Sequence, residues 1–348
     1  MNRIDPLPDF SLARLPGRRS LLLHRRTLVV CSVLVAAVAM LMLLTIGTCA
    51  YPISPSELLT ILLGGGEPTA RFFVLEQRAP RAVAAVVVGI CLALAGAIFQ
   101  TLSNNPLGSS DIIGFTTGAA TGGLVMILVA GASVPGGVAT GATLGGLATA
   151  LLVWSLSVGR GLAGERLILV GIAVGAMLSS INDYLLTRAD LESAEAARAW
   201  QFGSLNAVGW GQLSGPVLIV GLPLLVLWLW SPSLRALETG DDLAAALGVR
   251  VTRDRTVLLA TGVLFTAIGV AIGGPIGFVA LAAPQIARRL TASPGISLLG
   301  SAALGAALLG SAGHLAARIL SPFQIPVGLA TSAVGGLYLV WLLSRRRR

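Results

Sequence analysis

The sequence predicts an all-α polytopic membrane protein with ten transmembrane helices, and three observations carry that expectation. Of its 348 residues 55% are hydrophobic and 11% charged, with a mean hydropathy of +0.86, far more apolar than a soluble domain of ordinary composition. Apolar stretches of about 20 residues, the length a helix needs to cross a bilayer, recur along the chain. Arginine is abundant in alternate connections between them, the bias that membrane orientation imposes. Gly is also common (43 residues) and aromatics are 5%, a composition that lets helices approach closely through small side chains.

Met1–Thr27 is polar and holds Arg3, Arg14, Arg18, Arg19, Arg25 and Arg26. Leu28–Thr48 then reads as the first span, too long for the apolar core of a signal peptide. Tyr51–Arg78 is mixed, and its amphipathic piece Ser56–Leu63, between Pro55 and Gly64–Gly66, reads as a surface helix on the far side. Spans two to six fall near Arg81–Thr101, Ile112–Ala130, Pro135–Ser157, Arg166–Thr187 and Leu213–Trp230, separated by turns rich in Gly, Pro, Ser or Asn. Spans seven to ten fall near Thr256–Ile272, Phe278–Leu290, Ile296–Leu320 and Val327–Leu343. The organisation expected is a tail (1–27), one ten-helix membrane domain (28–343) and a basic tail (344–348).

Ten spans put both termini on one side, where eighteen of the 24 arginines also fall. The six on the other side are Arg71, Arg78, Arg81, Arg188, Arg198 and Arg318. Both tails are therefore assigned to the cytoplasm, and with them residues 231–255, a charged insert between apolar regions. The same bias explains the net charge of +9 without a nucleic-acid partner. Cys31, Cys49 and Cys91 lie in or beside apolar runs without metal-ligand spacing.

Within the insert, Thr239–Arg255 combines Asp241, Asp242 and Asp254 with Arg250, Arg253 and Arg255 around the short helical run Asp242–Leu247, which Gly248 ends as a C′ glycine. Asn104-Asn105-Pro106 and Gly273-Gly274-Pro275 break helices, and both breaks are expected in the bundle interior, where free backbone groups are tolerated at membrane depth. Their positions suit an inverted repeat of spans two to five and seven to ten. Small residues four apart at Gly118/Gly122, Gly137/Gly141/Gly145, Gly171/Gly175 and Ala302/Ala306/Gly310 predict close helix packing.

No lysine occurs, so the chain contains no Walker A phosphate loop, and nucleotide energy has to come from a partner. His24 and His314 are far apart, and His314 reads as a helix residue rather than a metal ligand. No nucleophile–base pair suggests catalysis. Asp183 is the acid expected within a span, and such scarcity argues against an ion-coupled carrier, which keeps buried carboxylates for use.

The run Arg78-Ala79-Pro80-Arg81, then Gly96–Gln100, Asn105-Pro106-Leu107 and Ile113-Gly114, resembles the first signature of the iron-siderophore and vitamin B12 permeases of ABC importers, the FecCD-like type II importers. Trp200–Leu205, Leu247-Gly248-Val249, Gly277-Phe278-Val279, Ala283-Pro284 with Ile286–Arg288, and Pro326-Val327-Gly328 continue it in order to the C-terminus. Gln285, Gly313-His314 and Gln324 depart from the residues common at those places. Phe323–Gly328 with Gly335–Tyr338 looks closest to permeases of catecholate siderophores.

The resemblance implies a non-enzymatic permease of the bacterial cytoplasmic membrane that moves ferric siderophore from an extracytoplasmic binding protein into the cell. It implies a homodimer or a heterodimer with a related permease, surrounded by membrane lipid and carrying two cytosolic ATPases. It implies no cofactor on this chain, with ATP and Mg on the ATPase. Asp241, Asp242, Leu243, Ala244, Ala245, Ala246, Leu247, Gly248 and Val249 become the ATPase-coupling element, and Arg78, Arg81 and Arg318 the docking arginines for the binding protein. The passage follows spans five and ten, with Gly159, Gly161 and Gly164 as an inner-gate hinge and Asn105, Pro106, Gly274 and Pro275 as helix breaks. The alternatives are cobalamin or haem cargo on the same machine, a stand-alone secondary carrier or exporter, or a membrane scaffold.

Overall fold

A computed structural model describes residues 10–15, 19–48, 53–130, 136–157, 164–319 and 324–345. The departure from the all-α expectation is an antiparallel hairpin in the N-terminal tail, β1 (Phe10–Leu15) and β2 (Arg19–His24), pairing Phe10 with His24 and Leu15 with Arg19. In β1, Phe10 and Leu12 alternate with Ser11 and Ala13, the period of two that a strand uses.

All other regular elements among the described residues are helical. After α1 (Arg25–Gly47) comes the expected surface helix, α2 (Pro55–Leu62), where Ser54 Oγ accepts the Glu57 N–H at 3.2 Å as an N-cap. Next, α3 (Pro68–Arg71) passes through π-helical Phe72–Arg78 into α4 (Ala79–Ser103), one continuous run of 36 residues. Pro80 lacks an N–H and crowds the carbonyl four residues back, and the widened turn accommodates it.

The chain continues with α5 (Phe115–Val125) and its π-helical extension Met126–Ala130, α6 (Gly137–Ser157), α7 (Gly164–Arg188) and α8 (Leu191–Gln201). It ends with α9 (Trp210–Leu237), α10 (Asp241–Ala246), α11 (Val251–Gly273), α12 (Val279–Thr291), α13 (Leu298–Ala316) and α14 (Val327–Arg345). A helix therefore stands at every apolar stretch of the sequence. Among the described residues seven are long and apolar enough to cross a membrane: α1, the α3–α4 run, α6, α7, α9, α11 and α13. Phe115–Val129 and Val327–Tyr338 are shorter apolar helices, and α12 has 13 residues.

The centre is α4 and α11: 78% and 72% of their most apolar windows are buried, against 6% for α1. Small residues set this arrangement. A Cβ at Gly96 would overlap the Ala280 carbonyl, Gly89 and Gly305 face each other's carbonyls, and Gly122 lies against Gly141 and Gly145. Phe99 and Phe115 fill the space beside them, with ring centroids 5.1 Å apart. The halves share a pairing pattern: α4 packs on α13 as α11 packs on α6, and α5 packs on α6 as α12 packs on α13. Outward faces are apolar, with Leu169, Leu218 and Trp228 exposed, as suits helices solvated by lipid or by other helices.

Gly96→Val places side-chain atoms where the Ala280 carbonyl stands and is expected to cost about 3 kcal/mol or more by overpacking. Gly211→Ala meets nothing within 4 Å inside helix α9 and should leave stability unchanged or raise it by up to about 1 kcal/mol. Thermal unfolding of the detergent-solubilised variants measures both.

Candidate functional site

Helix α10 is built as the sequence suggested. The Val249 N–H donates to Ala244 O at 3.0 Å and the Gly248 N–H to Ala245 O at 2.9 Å, with Gly248 at φ +85°. This pair of bonds closes a helix with a left-handed C′ residue, a conformation a side chain at 248 would strain. Only Ala244 of the six helical residues is buried; Leu243 and Leu247 are 60% and 72% exposed. They are four residues apart, so one face of a soluble-looking helix presents two leucines left largely exposed by the described residues.

Three contacts fix this helix and its flanks to the bundle. Arg255, 5% exposed, donates through Nε (3.1 Å) and Nη2 (2.6 Å) to Asp241 Oδ1, while its Nη1 donates to Leu102 O at the end of α4 at 2.8 Å. Asp254 accepts from Trp230 Nε1 (3.1 Å) and Ser233 Oγ (2.7 Å), clamping α11 to α9. Glu238 Oε1 accepts the Ile296 N–H at 2.9 Å just before α13. The sequence reading grouped Arg255 with Arg250 and Arg253, but those two are exposed. The signal that separates them is helical phase: residues 254, 255, 258, 259 and 262 lie on one face of α11 and are all buried.

Arg78, Arg81 and Arg318 come together at the opposite end. Arg78 Nη1 donates to Ile46 O (2.8 Å), Arg318 Nη2 to Thr48 O (3.2 Å), and Arg81 to Gln324 Oε1 (3.4 Å) and Gly313 O (3.5 Å). Carbonyls at helix C-termini attract cations, which accounts for this clustering. Arg78 is 7% exposed, so Arg81 and Arg318 are the more accessible members of the set. Arg26 Nε meanwhile donates to Leu290 O at the last turn of α12, placing the start of α1 at the end that carries α10. From Arg81 to Leu102 along α4 is about 32 Å at 1.5 Å per residue, close to a bilayer's hydrocarbon thickness.

The two helix breaks differ. Gly274, at φ +70°, is buried and sits against Trp200 O, while the Ser204 N–H donates to Gly273 O (2.8 Å) and the Gly328 N–H to Gly203 O (3.0 Å). This break lies inside, as expected, and joins the Gly203 and Gly328 loops. The Asn104–Asn105–Pro106 break instead has Asn104, Pro106 and Leu107 on the surface of the chain, correcting the interior placement. It tolerates exposure because Asn104 takes a left-handed cap (φ 47°) and Asn105 Oδ1 accepts the Leu107 N–H at 2.9 Å. Gly159 and Gly161 lie outside the described residues, and Gly164 opens α7. Of the residues at which the sequence departs from the common pattern, Gln285 Nε2 donates to Gln100 Oε1 (2.7 Å) and His314 Nδ1 pairs with Thr45 Oγ1 (3.2 Å), whereas Gln324 and Gly313 accept from Arg81. Asp183 is exposed on α7; the acid the sequence reading missed is Asp111, in the turn before α5.

A profile described as the FecCD transport family matches residues 31–345. The chain belongs to the FecCD transport family. It is 40% identical to the ferric enterobactin transport system permease protein FepG of Escherichia coli (strain K12), over 93% of this chain and 98% of that one. It is 33% identical to the Fe(3+)-citrate import system permease protein YfmE of Bacillus subtilis (strain 168), over 93% and 97%. A solved metal-chelate type ABC transporter in an inward-facing conformation superposes with a TM-score of 0.77 at 28% identity, covering 91% of this chain and 99% of that chain. The two relatives are named as permease proteins of ferric-chelate transport and import systems, and the long apolar helices of this chain fit that membrane role.

Gly248→Ala is expected to destabilise the closing turn of α10 by about 1–2 kcal/mol through its left-handed backbone alone, since a Cβ there meets nothing within 4 Å. Amide exchange of residues 243–249 should accelerate roughly 5- to 30-fold, with α11 unchanged.

Proposed function

We propose that this chain is the membrane permease of an importer that carries ferric siderophores across the bacterial cytoplasmic membrane, driven by ATP hydrolysed on a separate subunit. The observation that carries the reading is α10, which offers Leu243 and Leu247 to a partner while Asp241 is held by Arg255. The cargo class follows the ferric enterobactin and ferric citrate permeases that the chain resembles.

In this reading α1, α4 to α7, α9 and α11 to α14 supply ten spans, both termini are cytoplasmic, and Asp241–Val249 docks in a cleft of the ATPase. The permease pairs with a second copy or a related chain, and each copy carries one ATPase. Force applied to α10 reaches α4 through Arg255, α9 through Asp254 and α13 through Glu238. The passage runs along α7 and α14 between the two permeases, with Gly159, Gly161 and Gly164 as the hinge of its inner gate. ATP and Mg stay on the ATPase, and this chain performs no catalysis. At the outer end Arg81 and Arg318, with Arg78 behind them, meet acids of the cargo-binding protein. Such exposed pairs contribute no more than about 1 kcal/mol each and act mainly by orienting the encounter.

Uptake of labelled ferric siderophore by a strain lacking this chain, repeated with the chain restored, tests the reading; uptake unchanged by restoration sinks it. Leu243→Asp with Leu247→Asp should abolish co-purification with the ATPase while membrane insertion continues. Arg255→Gln removes the link between Asp241 and Leu102, costing about 3 kcal/mol locally. That variant should retain the ATPase and its hydrolysis but lower uptake at least tenfold. Arg81→Glu with Arg318→Glu should weaken binding-protein docking, with a salt dependence smaller than that of the parent.

A further inference from the structure

Asp111 stands outside everything assigned so far, yet it ties together parts of the chain far apart in sequence. It lies in the turn between the Asn104–Pro106 break and α5, following Ser109 and Ser110, which are buried. Its two carboxylate oxygens are used separately. Oδ1 accepts the Thr116 hydroxyl at 2.7 Å, and Oδ2 accepts the backbone N–H of Phe278 at 3.1 Å, a residue 167 positions later.

Phe278 is the N-cap of α12 and follows the Gly273-Gly274-Pro275 break. Its backbone is at φ +74°, ψ −33°, a conformation that a residue with a bulky side chain avoids. Strained residues of this kind persist only where their surroundings hold them, and they concentrate at moving or functional parts of proteins. Two things hold this one. The first is the Asp111 hydrogen bond. The second is α14, where a Cβ at Gly335 would overlap the Phe278 ring and Tyr338 packs edge-on against it, with centroids 6.0 Å apart at 76°. Glycine at 335 is thus the notch that receives the ring. Through Phe278, a carboxylate at the α4–α5 break sets where α12 meets α14.

We infer that Asp111 is a positioning residue for transport: as a hydrogen-bond acceptor it holds the Phe278 backbone so that its ring is seated in the Gly335 notch of α14. The inference rests on the proposed transport role, in which α14 borders the passage. The role needs acceptor oxygens and not charge. An asparagine side chain keeps it: Oδ1 accepts the Phe278 N–H, and Nδ2 donates to the Thr116 hydroxyl, which serves as acceptor in turn. A carboxylate that contacted cargo or moved a proton could not be replaced in this way.

The test uses the full permease with its ATPase in proteoliposomes, with labelled ferric siderophore supplied on its binding protein. Asp111→Asn should transport within about twofold of the parent. Asp111→Ala should lower the maximal rate at least tenfold at an unchanged half-saturating concentration, with the ATPase still bound. Gly335→Ala, which expels the ring from the other side, should produce the same loss, and the double variant should be no slower than the slower single variant. Asp111→Asn as impaired as Asp111→Ala, a parental rate in Asp111→Ala, or losses that multiply in the double variant would each overturn the inference. If Asp111→Ala fails to assemble, Gly335→Ala and Asp111→Asn still decide: parental transport by the first, or loss in the second, refutes it. No uptake by the parent complex itself would instead refute the transport reading.

Discussion

The arrangement depends on how closely α4 approaches its neighbours. Gly89 and Gly96 bring its backbone against the carbonyls of Gly305 and Ala280, too near for any side chain between them. In an apolar solvent no hydrophobic drive pushes helices together, so such close contact, with its dispersion and polar backbone interactions, is what association relies on. Once α4 is central, its two ends become fixed reference points. Arg81 lies at one end among the C-termini of α1 and α13, and Leu102 at the other, within reach of the buried guanidinium of Arg255.

A rigid centre also explains why the irregular segments carry the connections. A continuous helix has its backbone groups occupied and cannot bond sideways, whereas a break frees them. The Gly274 break uses that freedom to join loops from distant parts of the chain: Gly273 O takes the Ser204 N–H, and Gly203 O takes the Gly328 N–H. The Asn104 break supplies the Leu102 carbonyl to Arg255 and leads into the turn that holds Asp111. Movement at α10 therefore meets one end of α4, and the irregular turn beyond it meets α12.

The helical stretches, the closing turn at Gly248 and the contact of Gly122 with Gly141 and Gly145 were legible because each is a local rule: length, a cap residue, a four-residue spacing. Arg78, Arg81 and Arg318 were legible from the loop bias as members of the six-arginine minority, but the burial of Arg78 against Ile46 depends on where α1 ends in space. Arg255 could have been distinguished from Arg250 and Arg253 by its phase on α11. Asp111 could not be reached in that way, because it belongs to no helix and its partner is 167 residues away. The hairpin at Phe10–His24 was hidden by its arginines, which made the tail read as polar chain.

The distribution of charge then bears on where energy can enter. Among the described residues the buried charged side chains are Arg78, Asp254 and Arg255, and all three lie at the ends of the bundle. Near the Leu102 end, polar contacts joining α4 to α12 are neutral: Gln100 Nε2 donates to Leu281 O and Gln285 Nε2 to Gln100 Oε1. An ion-driven carrier needs a titratable or ion-binding group at mid-depth, where its cost is tolerated only for use. Here the half-buried Asp111 is engaged by Thr116 and Phe278, so the work of transport is better delivered from outside the bilayer. In the proposed function, the place that receives it is the helix whose aspartate Arg255 grips and whose leucines face outward.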